Sequence, residues 1–161
     1  MGFNHFDDKG NAWMVDVSGK QKTLREAQVE AVVHLGCDLL ARVVGEGTAK
    51  GDVLGTARLA GIAAVKKTAD LIPLAHPLAL HHASIAFEAD SQAGTLRVRC
   101  TVKAIERTGV EMEAMTGATV AALTVYDMCK GVKRDITIGP VRLLHKSGGR
   151  SGTYQAPEDG S

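Results

Sequence analysis

The segment YDMCK holds a carboxylate, Asp127, and an ammonium, Lys130, three residues apart. On a helix that spacing puts the two side chains on one face. Such a pair can be an ion pair and nothing more. It can also be a working acid/base couple, because each group shifts the other's pKa. The run EMEAMTGATVAALTVYDMCK at 111–130 predicts one long helix with Glu111 and Glu113 in its first turn. Acids there are favoured by ~0.3–1 kcal/mol each. Asp127 sits at the opposite, unfavourable end of the helix dipole, so dipole electrostatics leaves it unexplained. Glu113 and Asp127 share a semi-polar face, yet fourteen positions separate them, about 21 Å at ~1.5 Å per residue. They cannot both touch one reacting atom. Either one is unrelated to chemistry, or the site is elongated, or each acid belongs to a different site that a neighbouring chain completes.

Other residues could join them. Lys50 lies just before a helix start in AKGDVLG. The positive end of a helix dipole there would lower its pKa and suit it to acid or base work near neutrality. His76 lies in LIPLAHPLALHH between Pro73 and Pro77. Pro77 pushes it toward extended backbone, and a stiff loop presenting a histidine among apolar residues suits a binding pocket. His76, His81 and His82 do not follow zinc-ligand spacing, so no metal site is expected. Lys146 and Arg150 flank a Gly/Ser run in HKSGGRSG that could hold phosphate, although the P-loop spacing is absent. Lys20 and Arg25 are further cations near a strand start, and each of these cations could equally be a solvated surface charge.

These residues need elements to position them. Ala27, Val29, Ala31, Val33 and Leu35 alternate with polar residues, which predicts a half-buried strand in a stretch rich in helix formers. WMVDVS at 13–18 predicts a short edge strand. Residues 38–44 predict a short helix, and Asp52 caps an amphipathic helix over 53–72. HASIAFEAD and TLRVRCTVKAIE, separated by SQAG, predict a hairpin. On the 111–130 helix, Ala114, Ala118, Ala121, Ala122 and Val125 form a small-residue stripe for close packing. DITIGPVRLLH predicts the last strand, bent at Gly139–Pro140. The order is βαββαβ: an α+β, ferredoxin-like arrangement, with an antiparallel sheet and two long helices packed on one face. One domain over 1–161 is expected, with a flexible N-terminus at 1–12 and a flexible Gly/Ser-rich tail at 147–161.

The totals exclude some classes. A net charge of +1 gives no global basic field for nucleic acid. No run approaches a membrane span of about 20 apolar residues. Cys37, Cys100 and Cys129 are widely spaced and unaccompanied by a secretory signal, which predicts reduced thiols in a cytoplasmic protein.

MVDVS, KGDVLGTARLAGIAAVKKTADLIPLAHPL, TGVEMEAMTGATVAALTVYDMCK and IGPVRLLHKSGGRSG together resemble the molybdenum cofactor biosynthesis protein C family, the cyclic pyranopterin monophosphate synthases. The resemblance runs from about residue 12 to 152. It implies a homohexamer, a trimer of dimers with active sites at the dimer interface. It implies a small-molecule substrate, 3′,8-cyclo-7,8-dihydro-GTP, rearranged to a pyranopterin with cyclic phosphate closure and release of diphosphate. The class implied is phosphorus–oxygen lyase, with no cofactor. It places the catalytic groups on Asp127, Lys130 and Lys50. It places substrate binding on Leu74, Ala75 and His76, on Met112 and Glu113 with Glu111 beside them, and on Lys146, Arg25 and Lys20 around the triphosphate. Trp13, Ala75, Lys133 and Asp135 depart from the family pattern without removing a matched catalytic residue. A non-catalytic, oligomeric nucleotide- or pterin-binding module of the same fold is the alternative.

Overall fold

The computed structural model describes residues 4–45 and 52–157. Strand β1 (Thr23–His34) is the centre of the sheet. Its alternating residues Ala27, Val29, Ala31 and Val33 are fully buried, so period two wins over helix propensity here. Burial of each such valine contributes roughly 1.5–3 kcal/mol. Both edges of β1 are taken, by β3 (Thr95–Glu106) and by β4 (Thr137–Ser147), each antiparallel. Strand β2 (His82–Asp90) pairs with β3, and β5 (Tyr154–Gln155) pairs with β4. The sheet order is β2-β3-β1-β4-β5.

The β2–β3 hairpin turns where SQAG predicts it. The Asp90 carboxylate accepts from the backbone N–H groups of Gln92 and Ala93 at 3.0 and 2.9 Å. Gly94 has φ +66°, and a Cβ there would lie 2.7 Å from the Gly36 and Cys37 backbone.

Helices α1 (Cys37–Val44) and α2 (Val53–Val65) follow β1, then the single turn α3 (Thr68–Leu71). Asp52 caps α2, accepting from the Gly55 N–H at 2.7 Å. The helix expected over 53–72 is thus broken at Lys66–Lys67. The Thr68 hydroxyl donates back to the carbonyl of Val65 at 3.0 Å, which closes the end of α2.

Helix α4 (Glu111–Cys129) carries the anticipated stripe: Ala114, Ala118, Ala121, Ala122 and Val125 are all fully buried against the sheet and α2. Gly61 of α2 and Gly117 of α4 face each other, and a Cβ on Gly61 would meet the Gly117 carbonyl at 2.9 Å. The result is a ferredoxin-like α+β fold, βαββαβ with a short fifth strand, whose long helices cover one face of the sheet.

Residues 13–18 do not form the expected edge strand. The segment before β1 instead makes a small turn closed by a Phe6–Ala12 bridge, then runs outside the sheet. Among the described residues no helix is long and apolar enough to cross a membrane.

Candidate active site

The loop between α3 and β2 is held by its prolines and by a turn in which the Ala75 N–H donates to the Ile72 carbonyl at 3.1 Å. It presents Leu74, Ala75 and His76 to a cavity of about 490 Å³. Met112 and Glu113, on the first turn of α4, form a second wall. Val15, Val17 and Lys20, from the segment before β1, form a third. Six of the residues expected from the sequence therefore meet in one place: Lys20, Leu74, Ala75, His76, Met112 and Glu113.

Glu113 is the unusual group. It is 4% exposed, and its Oε2 is buried with no hydrogen-bond partner. Burial pushes its carboxyl up from an ordinary value of 4.5 to about 7; its own backbone hydrogen bond opposes the rise, and the neighbouring Glu111 charge adds to it. Glu113 thus holds or releases a proton near neutrality, the range in which acid/base catalysis is most effective. Together with His76 and Leu78 it also borders a smaller cavity of about 130 Å³, lined by Lys66, Thr68 and Asp70.

The remaining expected residues fall in other places. Glu111 is outside the cavity wall and accepts from Lys146 Nζ at 2.9 Å. Lys146 also donates to the Ser151 hydroxyl at 3.3 Å, which ties the Gly/Ser run to the sheet. Arg25 is 8% exposed and spends its guanidinium on backbone carbonyls: Glu106 at 3.2 Å, Arg107 at 3.1 Å and Gly148 at 3.3 Å. Its geometry is that of a clamp on two loops.

Asp127 and Lys130 stand at the far end of α4, with Oδ1 and Nζ 2.6 Å apart. Both are exposed, 66% and 54%. The hydrogen bond to Asp127, and then its charge, holds the Lys130 ammonium above its usual pKa. In this pair Lys130 is the proton holder and Asp127 the acceptor. Neither lines the cavity that contains Glu113, in keeping with a separation of about 21 Å along a continuous helix. Lys50 lies outside the described residues. No group of three or more His, Cys, Asp or Glu side chains that could hold a metal ion occurs among the described residues.

Val15, Val17, His5 and Thr108 line the cavity without having been singled out from the sequence. The signal for the first two was present: MVDVS alternates, and the structure half-buries Val15 and Val17 while Met14, Asp16 and Ser18 are exposed. Alternation marks one covered face and does not say what covers it.

Comparison with known proteins identifies the family of the chain. The chain is 65% identical over 158 residues to a cyclic pyranopterin monophosphate synthase of Pelobacter propionicus, covering 98% of this chain and 99% of that one. It is equally similar, with the same coverage, to the protein of that name from Geobacter sulfurreducens. A more distant synthase from Roseiflexus castenholzii is 51% identical over 148 residues, covering 92% and 94% of the two chains. Residues 14–149 match the MoaC family, and with that span and those identities the chain belongs to it.

Proposed function

We propose that the protein is a cyclic pyranopterin monophosphate synthase of molybdenum cofactor biosynthesis, a phosphorus–oxygen lyase acting in the cytoplasm. It converts 3′,8-cyclo-7,8-dihydro-GTP to cyclic pyranopterin monophosphate and diphosphate. The observation that carries this reading is the near end-to-end similarity to chains of that name. The three cysteines, all free thiols, are compatible with the compartment.

The cavity walled by Leu74, Ala75, His76 and Met112 takes the fused ring system, apolar faces against the rings and polar groups at their edges. Glu113, poised near neutrality, moves protons at the ring nitrogens and oxygens during the rearrangement. Closing the cyclic phosphate is an in-line displacement. A sugar oxygen forms a bond to phosphorus, the bond from phosphorus to the diphosphate oxygen breaks, and the hydroxyl proton passes to a base. Asp127 is the group placed to accept a proton, while Lys130 keeps its own and stabilises developing negative charge. Lys50 is the further catalytic lysine. Lys20 and Lys146 face the triphosphate, and Arg25 shapes the Gly148–Ser151 loop beside Lys146.

One chain cannot bring Glu113 and Asp127 to the same substrate atom. We therefore propose that each site takes Glu113 and its cavity from one subunit and Asp127 with Lys130 from another, in a homohexamer built as a trimer of dimers. The exposure of the Asp127–Lys130 pair also fits a surface ion pair in a non-catalytic nucleotide- or pterin-binding module. Asp127→Ala separates the two readings. Turnover measured by diphosphate release and pterin formation should fall at least ~100-fold, the usual scale for losing a general acid or base. Near-normal turnover would remove the catalytic assignment.

A further inference from the structure

The hydrogen bond between His76 and the segment before β1 contains more information than its length. His76 Nε2 lies 2.8 Å from the backbone carbonyl oxygen of Val15. A carbonyl oxygen has no proton to give, so Nε2 must carry the hydrogen and donate it. In a neutral imidazole the second nitrogen, Nδ1, is then a bare acceptor. Among the described residues Nδ1 has no hydrogen-bond partner of its own.

The Val15 carbonyl is held in place from both sides along the chain. Upstream, the Trp13 N–H donates to the His5 carbonyl at 3.1 Å, and Asp7 organises the turn by accepting from the Asn11 N–H at 2.7 Å. Downstream, the Asp16 carboxylate accepts from the Ser18 N–H at 2.8 Å, and the Lys20 N–H donates to the Val17 carbonyl at 3.0 Å. Val15 and Val17, both half-buried, line the cavity from this segment. The orienting group is main chain, so side-chain patterns alone do not reveal it.

We infer that the segment Val15–Lys20 is a positioning wall that fixes His76 as its Nε2–H tautomer, so that Nδ1 is offered at the cavity wall to an N–H or O–H donor of the substrate. The inference rests on the synthase reading for what occupies the cavity, and on geometry alone for the tautomer. An orienting partner on one ring nitrogen fixes the role of the other, as it does for metal-bound histidines. Glu113, on the same cavity, supplies the complementary donor when protonated. A ligand presenting a donor next to an acceptor, as a cyclic amide edge does, is the chemical class this wall fits.

The test uses nitrogen-15 magnetic resonance of the full-length, histidine-labelled protein without substrate. The His76 signals are assigned by their loss in His76→Gln. The wild type should show a proton on Nε2 that is protected from solvent exchange, with Nδ1 bare in the neutral imidazole. Val17→Asp places a charge in the apolar wall and should release the segment. Its Nε2 proton should exchange at least ~10-fold faster, and KM should rise about fivefold, the scale of one ordinary hydrogen bond, with kcat little changed. Val17→Ser carries the same expectation if the aspartate disturbs folding. A wild-type proton on Nδ1, or no protected proton on Nε2, overturns the inference. So does a released wall that leaves the Nε2 proton as protected as before. If the wild type makes no pyranopterin while the Nε2 proton is seen, the synthase reading fails and the tautomer assignment stands.

Discussion

Replacing Glu113 with glutamine should stabilise the protein, and only above a certain pH. Burial raises the Glu113 carboxyl from 4.5 to about 7 in the folded chain. Between those two values the folded state holds a proton that the unfolded state has released. Stability therefore falls as pH rises through that window and levels off above about 7. Each pH unit of the window is worth ~1.4 kcal/mol, and the wild type should lose about 3 kcal/mol between pH 4.5 and pH 8 from this group alone. Glu113→Gln keeps the shape and removes the titration. The stability gap between variant and wild type should widen in the variant's favour by about 2–3 kcal/mol from pH 4.5 to pH 8, or roughly 5–10 °C in Tm for a chain of this size. The cavity-wall groups His5, Lys20 and His76 and the helix neighbour Glu111 are present in both proteins, so what they contribute largely cancels in the difference. The assay is thermal unfolding at a series of pH values, with protomer concentration matched because assembly contributes to apparent stability. A gap that does not change with pH, or a variant less stable than wild type at pH 8, would refute the claim that Glu113 is buried without compensation. Activity should move in the opposite sense: the glutamine cannot exchange a proton, so the variant combines higher stability at pH 8 with lower turnover.

Two further substitutions probe the frame of the site. Arg25→Ala removes a buried guanidinium from three backbone carbonyls and should cost about 3 kcal/mol, seen as a lower unfolding midpoint and faster proteolysis near Gly148. Gly117→Ala puts a methyl 2.6 Å from Val65 Cγ2 and 2.7 Å from Cys100 Sγ, and overpacking of that kind should cost about 1–3 kcal/mol in denaturant unfolding.

Much of this fold was legible in residue patterns because pattern and burial coincide. The period of two in 27–35 identified the central strand against its helix-forming composition, and the alanine stripe of α4 identified the face that meets the sheet. What stayed hidden depends on backbone or on distant partners. Residues 13–18 alternate like a strand, yet both edges of β1 are occupied, and their inner face closes a cavity instead. Tyr154–Gln155 join β4 through main-chain pairing, and the Ala156 N–H donates to the Leu144 carbonyl at 2.7 Å; the low apolar content of 147–161 carries no trace of that. Arg25 was legible as a cation near a strand start, but its carbonyl partners come from residues 81 to 123 positions away. For the site itself, the proline-flanked His76 loop read as suited to a pocket, the family resemblance alone added Met112, Glu113 and Lys20, and the place of Val15 and Val17 in the wall needed three dimensions. The distance between Glu113 and Asp127 was readable from helix rise alone, and the unbroken α4 preserves it.

That distance underlies the central claim, that active sites are completed between subunits. The direct measurement mixes two inactive proteins, Asp127→Ala and Glu113→Ala, unfolds and reassembles them together, and assays diphosphate release by verified mixed oligomers. Sites that draw an intact Glu113 from one chain and an intact Asp127 from the other should recover activity, up to about a quarter of wild type for random pairing of two residues across one interface. Mixed oligomers as inactive as either parent would contradict shared sites.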